Sequence, residues 1–237
     1  MIDWESGIYN GLHSSPLGPY LPATRKQVLE EFQSHEKAIQ AETPNELQNL
    51  VNAEVIRRYA RQLDLVPSKL SEKVVDDAAV KFGNSIGSWP AFPDTVAAIQ
   101  KLGQRFKLVP LSNIDRESFS QTLAGPLEGC RFDAVYTAQD IGSYKPDPRN
   151  FEYLLKHVKE EFGVGKEGLV HVAQSLFHDH VPAKGFGITS VWVDRKGFMG
   201  RRADGQDEEE RQGEYEYQLK VDTLGVLAEI VEKSVKG

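Results

Sequence analysis

Residues 169–193, LVHVAQSLFHDHVPAKGFGITSVWV, decide the fold because they hold two apolar strand patterns on either side of one helical pattern. Residues 169–173 and 188–193 are short, apolar runs bounded by glycine or polar residues, which is typical of buried strands. The segment between them, at about 178–186, is predicted to be a helix. Two strands joined by a helix of this length favour parallel pairing through a crossover connection.

The same alternation of strands and helices extends in both directions from this stretch. Upstream, the predicted elements are helices at 94–103, 117–123 and 148–162 and strands at 107–111 and 132–137. Downstream, residues 221–235 are predicted to form an amphipathic helix. The sequence therefore predicts an α/β fold with a doubly wound parallel sheet, whose ligand site lies beyond the carboxyl ends of the strands.

The first ninety residues carry a different pattern, which is helical from about 25 to 82 and contains no strand. Apolar residues recur at four-residue spacing along 51–63, as in an amphipathic helix. Thr43, followed by proline and two residues later by glutamate, predicts the N-cap of that helix. Ser68 is predicted to begin the next helix. Residues 83–93, rich in Gly, Pro and Ser, predict a linker.

Composition excludes several classes of protein. The chain has 237 residues, a net charge of −7, 40% hydrophobic and 27% charged residues, which is ordinary for a globular protein. An acidic chain is a poor partner for nucleic acid, because phosphate binding needs clustered Lys and Arg. The single cysteine, Cys130, excludes an internal disulfide, and no apolar run reaches the roughly 18–20 residues that span a bilayer. We therefore expect a cytoplasmic protein without a membrane or nucleic-acid partner, in which the acidic segment 197–216 is a solvated loop.

Polar side chains with catalytic potential come directly after the predicted strands. Ser112 and Asn113 follow the strand that ends at Leu111, where a hydroxyl, an amide and backbone N–H groups can bind an anionic oxygen. Lys145 follows the next strand, and Pro146 restricts it to an extended conformation that can aim its ammonium. Asp179 lies at the start of a helix after a third strand, where it could pair with Lys145. Each residue alone also fits an ordinary turn, loop or helix start, so it is the shared position at strand ends that indicates a site.

Several other catalytic and metal motifs are absent from the sequence. It has no Gly-x-Ser-x-Gly, P-loop or dinucleotide fingerprint. His171, His178 and His180 are neighbours, but no cysteine or acidic cluster with ligand spacing completes a zinc site. Cys130 fits a packed thiol better than a nucleophile. We therefore predict no metal and no cofactor.

Five segments, in their order and spacing, make the chain similar to the haloacid dehalogenase superfamily and closest to its type II 2-haloacid dehalogenase branch. They are residues 3–7 (DWESG), 89–93 (WPAFP), 111–113 (LSN), 144–147 (YKPD) and 172–184 (VAQSLFHDHVPAK). The resemblance covers nearly the whole chain. It implies a Rossmann-like core, residues 1–9 and 93–237, with a helical cap, residues 10–92, inserted after the first strand of the core.

The resemblance also implies a two-step substitution on a small-molecule substrate. An aspartate attacks the substrate carbon and forms an ester, which water then hydrolyses. Lys145 would steady the nucleophilic carboxylate, and Asp179 would orient both Lys145 and the water. Ser112 and Asn113 would hold the anionic group of the substrate, and Arg25 is a candidate for binding its carboxylate. A homodimer is one assembly that we consider.

The sequence departs from the family pattern at two places. The family nucleophile lies in an Asp-x-Tyr-Gly-Thr-Leu segment directly before the equivalent of residues 2–4, so we expect that the chain is N-terminally truncated, lacks the first core strand and is inactive. Asp3 follows that motif and does not replace the aspartate. Phosphatases of the superfamily carry an acidic magnesium ligand where Gln174 stands, which favours the dehalogenase-like branch. Two alternatives stay open, a magnesium-dependent phosphatase of the same fold and a non-catalytic binding protein.

Overall fold

The computed structural model of the protein describes residues 1–195 and 215–236, so nearly all of the predicted loop at 197–216 lies outside the described residues. The described helices are α1 (Trp4–His13), α2 (Arg25–Glu42), α3 (Gln48–Gln62), α4 (Glu72–Gly83), α5 (Thr95–Leu102), α6 (Arg116–Ala124), α7 (Ala138–Ile141), α8 (Pro148–Phe162), α9 (Val181–Gly185) and α10 (Leu224–Lys236). None of them is both long and apolar enough to cross a membrane. The described strands are β1 (Leu111–Ser112), β2 (Tyr136–Thr137), β3 (Val170–Ala173), β4 (Thr189–Val193) and β5 (Leu219–Val221).

These elements belong to two compact units of the chain. The first unit comprises Met1–Phe92 and Asn113–Gly129, and the second comprises Pro93–Ser112 and Cys130–Gly237. The predicted division into a core at 1–9 and 93–237 and a cap at 10–92 stays a prediction.

The first unit is built from α1 to α4 and α6, in agreement with the helical pattern of its sequence. Its core contains completely buried side chains such as Leu12, Phe32 and Tyr59. Side-chain caps begin several of these helices. The Asp115 carboxylate, for example, accepts the Ser118 N–H at 2.8 Å at the start of α6.

Two predicted helix starts in this unit are wrong. Thr43 ends α2 instead of beginning α3, because its backbone N–H and its hydroxyl both donate to the Ile39 carbonyl, each at 2.8 Å. The Ser68 hydroxyl likewise donates to the Asp64 carbonyl at 2.7 Å, and the N-cap of α4 is Ser71. In both places a hydroxyl that the sequence offers as an N-cap satisfies a backbone carbonyl of the preceding segment.

The second unit contains all five described strands in parallel pairs, which confirms the predicted α/β class. One sheet has the order β3-β4-β5, and β1 pairs with β2 in a second sheet. Tyr136 N–H donates to the Pro110 carbonyl at 2.9 Å, so Pro110 faces β2. Because successive carbonyls of a strand face opposite edges, the Leu111 carbonyl points to the edge of β1 that lies away from β2.

Several strands differ from their predicted lengths. The segment at 107–111 contributes only its end to β1, because Pro110 has no N–H and Leu108 N–H donates to the Asp133 side chain at 2.9 Å. The strand predicted at 132–137 shortens to β2 for the same reason, although Asp133 N–H still donates to the Leu108 carbonyl at 2.8 Å. The three-residue β5 is too short for its alternation to predict a strand.

The core of the second unit fixes the segment that carries Lys145. The core cluster on α8 consists of Phe151, Leu154 and Val158, packed with Tyr136, Ala183 and Ile188. Asp147 begins α8, with its carboxylate accepting the Arg149 N–H at 2.9 Å, and Gly163 ends it in the left-handed region at φ +71°. The residues just before α8 are therefore attached to a well-buried helix.

Candidate active site

Lys145 lies in the short segment between α7 and α8. Next to it, the buried Ser143 hydroxyl accepts the Asn150 side-chain N–H at 3.0 Å, which ties the segment to the first turn of α8. The peptide bond between Lys145 and Pro146 is cis. The Ser143–Asn150 hydrogen bond thus attaches the segment that carries the lysine to α8.

The Lys145 ammonium makes two charge-assisted hydrogen bonds at the end of β1. It donates to the Leu111 carbonyl at 2.8 Å and to Asp179 Oδ1 at 2.7 Å. The two side chains are 11% and 9% exposed, so the ion pair is almost completely removed from water. Ser112 is the next residue after this carbonyl and is the last residue of β1, whereas the sequence predicts a strand that ends at Leu111.

Asp179 lies in a five-residue π-helix, Leu176–His180, that follows β3 and leads into α9. Ser175 begins this helix, because its hydroxyl accepts the His178 N–H at 3.1 Å. The helix predicted at 178–186 therefore starts earlier and changes type on the way. The π-helical turn brings the Asp179 carboxylate to Lys145 and also to His171 on β3, whose Nε2 lies 2.9 Å from the same Oδ1.

The charge of Asp179 is stabilised in spite of its burial. Burial by itself raises the pKa of a carboxyl group, but here the Lys145 ammonium and the His171 hydrogen bond outweigh it. The pKa of Asp179 is consequently held well below its usual range. The carboxylate is ionised throughout the physiological range, and it is a weak base.

The neighbouring histidines have structural partners. His180 is completely buried, with Nδ1 2.9 Å from the Ser190 hydroxyl and Nε2 3.1 Å from the Ala173 carbonyl, and burial lowers its pKa. His178 Nδ1 lies 3.0 Å from the Ser175 hydroxyl. Over residues 1–195 and 215–236, no group of three or more His, Cys, Asp or Glu residues is arranged to hold a metal ion.

The other predicted site residues belong to the helical unit. Arg25 is the first residue of α2, where its guanidinium donates to the Ser6 hydroxyl at 3.1 Å and lies 5.1 Å from the centre of the Tyr9 ring. Asn113 directly follows β1. The structure thus brings Lys145 and Asp179 together in one unit. The catalytic roles of these two residues and the binding roles of Ser112, Asn113 and Arg25 stay predictions.

Sequence reasoning missed His171, which it weighed only as a metal ligand. In Val170–Ala173, alternation along the strand gives His171 a buried position while both valines beside it are partly exposed. A polar side chain on the buried face of a strand needs a hydrogen-bond partner, so the sequence could have predicted that His171 contacts a polar group.

Comparison with known proteins defines the class of the chain. The fold is of the parallel α/β class, and the sequence model of the haloacid dehalogenase-like hydrolases matches residues 16–172. The chain therefore belongs to the haloacid dehalogenase-like hydrolase family.

Solved structures share the fold over almost their whole length. The L-2-haloacid dehalogenase from Xanthobacter autotrophicus is 19% identical, with 98% of this chain and 94% of that chain covered and a TM-score of 0.72. The L-2-haloacid dehalogenase PA0810 is 16% identical, with the same coverage and a TM-score of 0.70. The HAD-hydrolase YfnB from Bacillus subtilis is 14% identical, with 98% and 93% covered and a TM-score of 0.67. At these identities the similarity establishes the fold.

Proposed function

We propose that the protein is a hydrolase of the 2-haloacid dehalogenase type, which acts at a carbon atom of a small carboxylate-bearing substrate through an aspartyl ester. The observation that carries this proposal is the buried Lys145–Asp179 pair at the carboxyl end of β1. A protein of similar fold adds support, since one structure of the Xanthobacter autotrophicus dehalogenase contains chloropropionic acid bound covalently.

The chemistry requires two displacements. In the first, a carboxylate oxygen bonds to the substrate carbon and the leaving group departs with its electron pair. In the second, water attacks the carbonyl carbon of the ester and the bond from that carbon to the substrate oxygen breaks. One water proton goes to the departing oxygen, which gives a hydroxy acid, and the other goes to solvent, which leaves the carboxylate ionised. A fixed ammonium at Lys145 keeps the attacking carboxylate ionised and in place, and it stabilises the negative charge that develops during hydrolysis.

Asp179 has an orienting role in this proposal. The Lys145 ammonium and the His171 hydrogen bond outweigh its burial and hold its pKa below the usual range, so its carboxylate is ionised and pairs with the ammonium at 2.7 Å. It holds the ammonium in place and keeps it charged. Ser112, Asn113 and Arg25 stay candidates for binding the anionic groups of the substrate.

The nucleophile itself is proposed to come from the Asp-x-Tyr-Gly-Thr-Leu segment of the family and not from Asp3. The Asp3 carboxylate accepts the Ser6 N–H at 2.9 Å and begins α1, which is a structural task. We therefore expect the 237-residue chain to have no turnover.

The test compares the 237-residue protein with a version extended at its N-terminus by that segment. Halide release from L-2-chloropropionate is expected only from the extended protein, and Lys145→Ala in that background is expected to abolish it while circular dichroism still shows a folded chain. Lys73→Ala is the control, because the Lys73 side chain is 82% exposed and pairs with Asp77 on the same helix of the first unit. Turnover by the extended Lys145→Ala variant at the unmodified rate would refute the role of Lys145.

The same experiment separates the two alternatives. Magnesium-dependent hydrolysis of phosphate monoesters by the extended protein, without halide release, would replace the proposal by a phosphatase. Gln174 argues against that outcome, because a neutral amide is a poorer ligand for Mg²⁺ than a carboxylate. A folded extended protein that turns over neither substrate class would instead favour a non-catalytic binding protein.

A further inference from the structure

His171 shares the carboxylate oxygen that Lys145 uses. Its Nε2 lies 2.9 Å from Asp179 Oδ1, and Lys145 Nζ lies 2.7 Å from the same atom. The imidazole is only 10% exposed, so water competes little for this contact. Two side chains thus contact one carboxylate oxygen: His171 from β3 and Lys145 from the segment before α8.

The imidazole itself is fixed by its surroundings. The edge of the Phe151 ring meets it at a centroid distance of 5.2 Å, and Phe151 is completely buried and stacked on Phe186 at 5.9 Å. The backbone of His171 is paired with Ser190 in the middle of the β3-β4 ladder. Asp179, in contrast, lies on a π-helix of only five residues, so the histidine is the more firmly anchored member of the pair.

The hydrogen bond also defines the protonation of the ring. Two acceptors that face each other at 2.9 Å would repel, so Nε2 must carry a proton when Asp179 is ionised. A ring nitrogen that donates to a carboxylate cannot at the same time take a proton from water. His171 therefore does not serve as a general base through Nε2.

We propose that His171 is a positioning residue, which donates from Nε2 to Asp179 and so fixes the carboxylate beside the Lys145 ammonium. Its effect on turnover rests on the proposed function, whereas its effect on Asp179 does not. The proposal has two consequences that a purely structural histidine lacks. The Nε2 proton exchanges slowly with water, and loss of the donor raises the pKa of Asp179.

The first arm of the test uses NMR on the 237-residue protein. At pH 7 we expect Nε2 of His171 to carry the hydrogen that it donates to Asp179. In His171→Phe, which keeps a ring against Phe151 but removes the donor, the Asp179 carboxyl is expected to titrate at higher pH. His171→Gln, which restores an amide donor, is expected to reverse that shift at least in part.

The second arm measures kinetics in the N-terminally extended protein. Loss of one hydrogen bond to a charged group is expected to lower kcat about ten- to a hundred-fold in His171→Phe, with KM within about two-fold. His171→Gln is expected to recover most of the loss. His157→Phe is the matched control, because His157 stacks on Tyr153 at 3.7 Å and has no contact with Asp179 among its described partners.

Each outcome decides one of the two proposals. The positioning role is overturned if Nε2 of His171 carries no proton, or if Asp179 titrates in His171→Phe as it does in the unmodified protein. It is also overturned if kcat is unchanged in His171→Phe. If the extended protein shows no turnover, the proposed function fails while the NMR arm still decides on His171. If His171→Phe does not fold, the Nε2 proton of the unmodified protein and the behaviour of His171→Gln remain decisive.

Discussion

Replacing Lys145 by methionine removes one member of a buried ion pair and leaves the other in place. Methionine has nearly the volume of the lysine stem but no charge and no donor. Asp179 would then keep the His171 contact, and the Leu111 carbonyl would lose the hydrogen bond from Lys145. The variant is therefore a direct measurement of what the ammonium contributes.

The expected magnitude follows from burial. Both side chains are about nine-tenths buried, and removing one partner of such a pair typically costs roughly 3–5 kcal/mol, because an uncompensated charge stays inside. A domain of ordinary stability survives this loss, so we expect a folded but weakened variant. Adding Asp179→Leu to the same chain removes the stranded charge, and the double variant is expected to be more stable than Lys145→Met alone.

The sign of the pH dependence gives an independent check. The pKa of Asp179 is lowered in the folded state, so its contribution to stability is present above the unfolded-state pKa of about 4 and is lost as the pH falls below it. The variant lacks most of that contribution. The difference in unfolding free energy between the protein and Lys145→Met should therefore be largest near neutral pH and should shrink toward acid.

Urea unfolding at several pH values measures this difference, and amide hydrogen exchange in β3 and β4 assigns it to the second unit. Lys73→Met is the matched control, because the Lys73–Asp77 pair has a similar separation of 2.8 Å but side chains 82% and 66% exposed. It is expected to change stability little. A Lys145→Met variant as stable as Lys73→Met at pH 7, or a difference that grows toward acid, would refute the reasoning.

Two further substitutions probe the helical unit. Gly7→Ala is expected to lower the unfolding free energy by about 1–3 kcal/mol, because a Cβ at this position would overlap the buried Trp89 ring. Gly185→Ala is the control and should be close to neutral in the same urea titration, because a Cβ there would meet nothing within 4 Å. Glu36→Gln is expected to raise the unfolding free energy by about 1–2 kcal/mol at pH 8 and to leave it unchanged near pH 4. Burial raises the pKa of this partly exposed carboxyl to about 7, although the Gln48 hydrogen bond opposes the shift. The ionised form therefore destabilises the fold above that pH, and glutamine removes the charge. A gain that is independent of pH would contradict this reading of Glu36.

The pairing of Lys145 with Asp179 was accessible from the sequence for a topological reason. Both residues follow predicted strands, and the carboxyl ends of parallel strands share one edge of a sheet. Neither residue is distinctive by itself, since lysines in loops and aspartates at helix starts are common. What predicts their contact is the order of the strands, and the 2.7 Å separation agrees with it.

Contacts over long sequence separations were not accessible. Asp94 stands at the N-cap position of α5, at the start of the helix predicted at 94–103. Its carboxylate makes no capping bond to that helix and instead accepts two hydrogen bonds from Arg195, at 2.8 and 3.0 Å, and one from Gly225 N–H at 3.1 Å. A local capping pattern contains no information about a partner 101 residues away. The partner of His171 was hidden for a similar reason, because alternation reports that a strand residue is buried and not what it touches.

The two bonds of the Lys145 ammonium have a consequence for folding. They join β1 to the π-helix that carries Asp179, and each of them spans 34 residues of sequence. Contacts over such separations form only after the cost of closing the intervening loops has been met. The charged pair is therefore assembled late in folding, together with the parallel strands that position it.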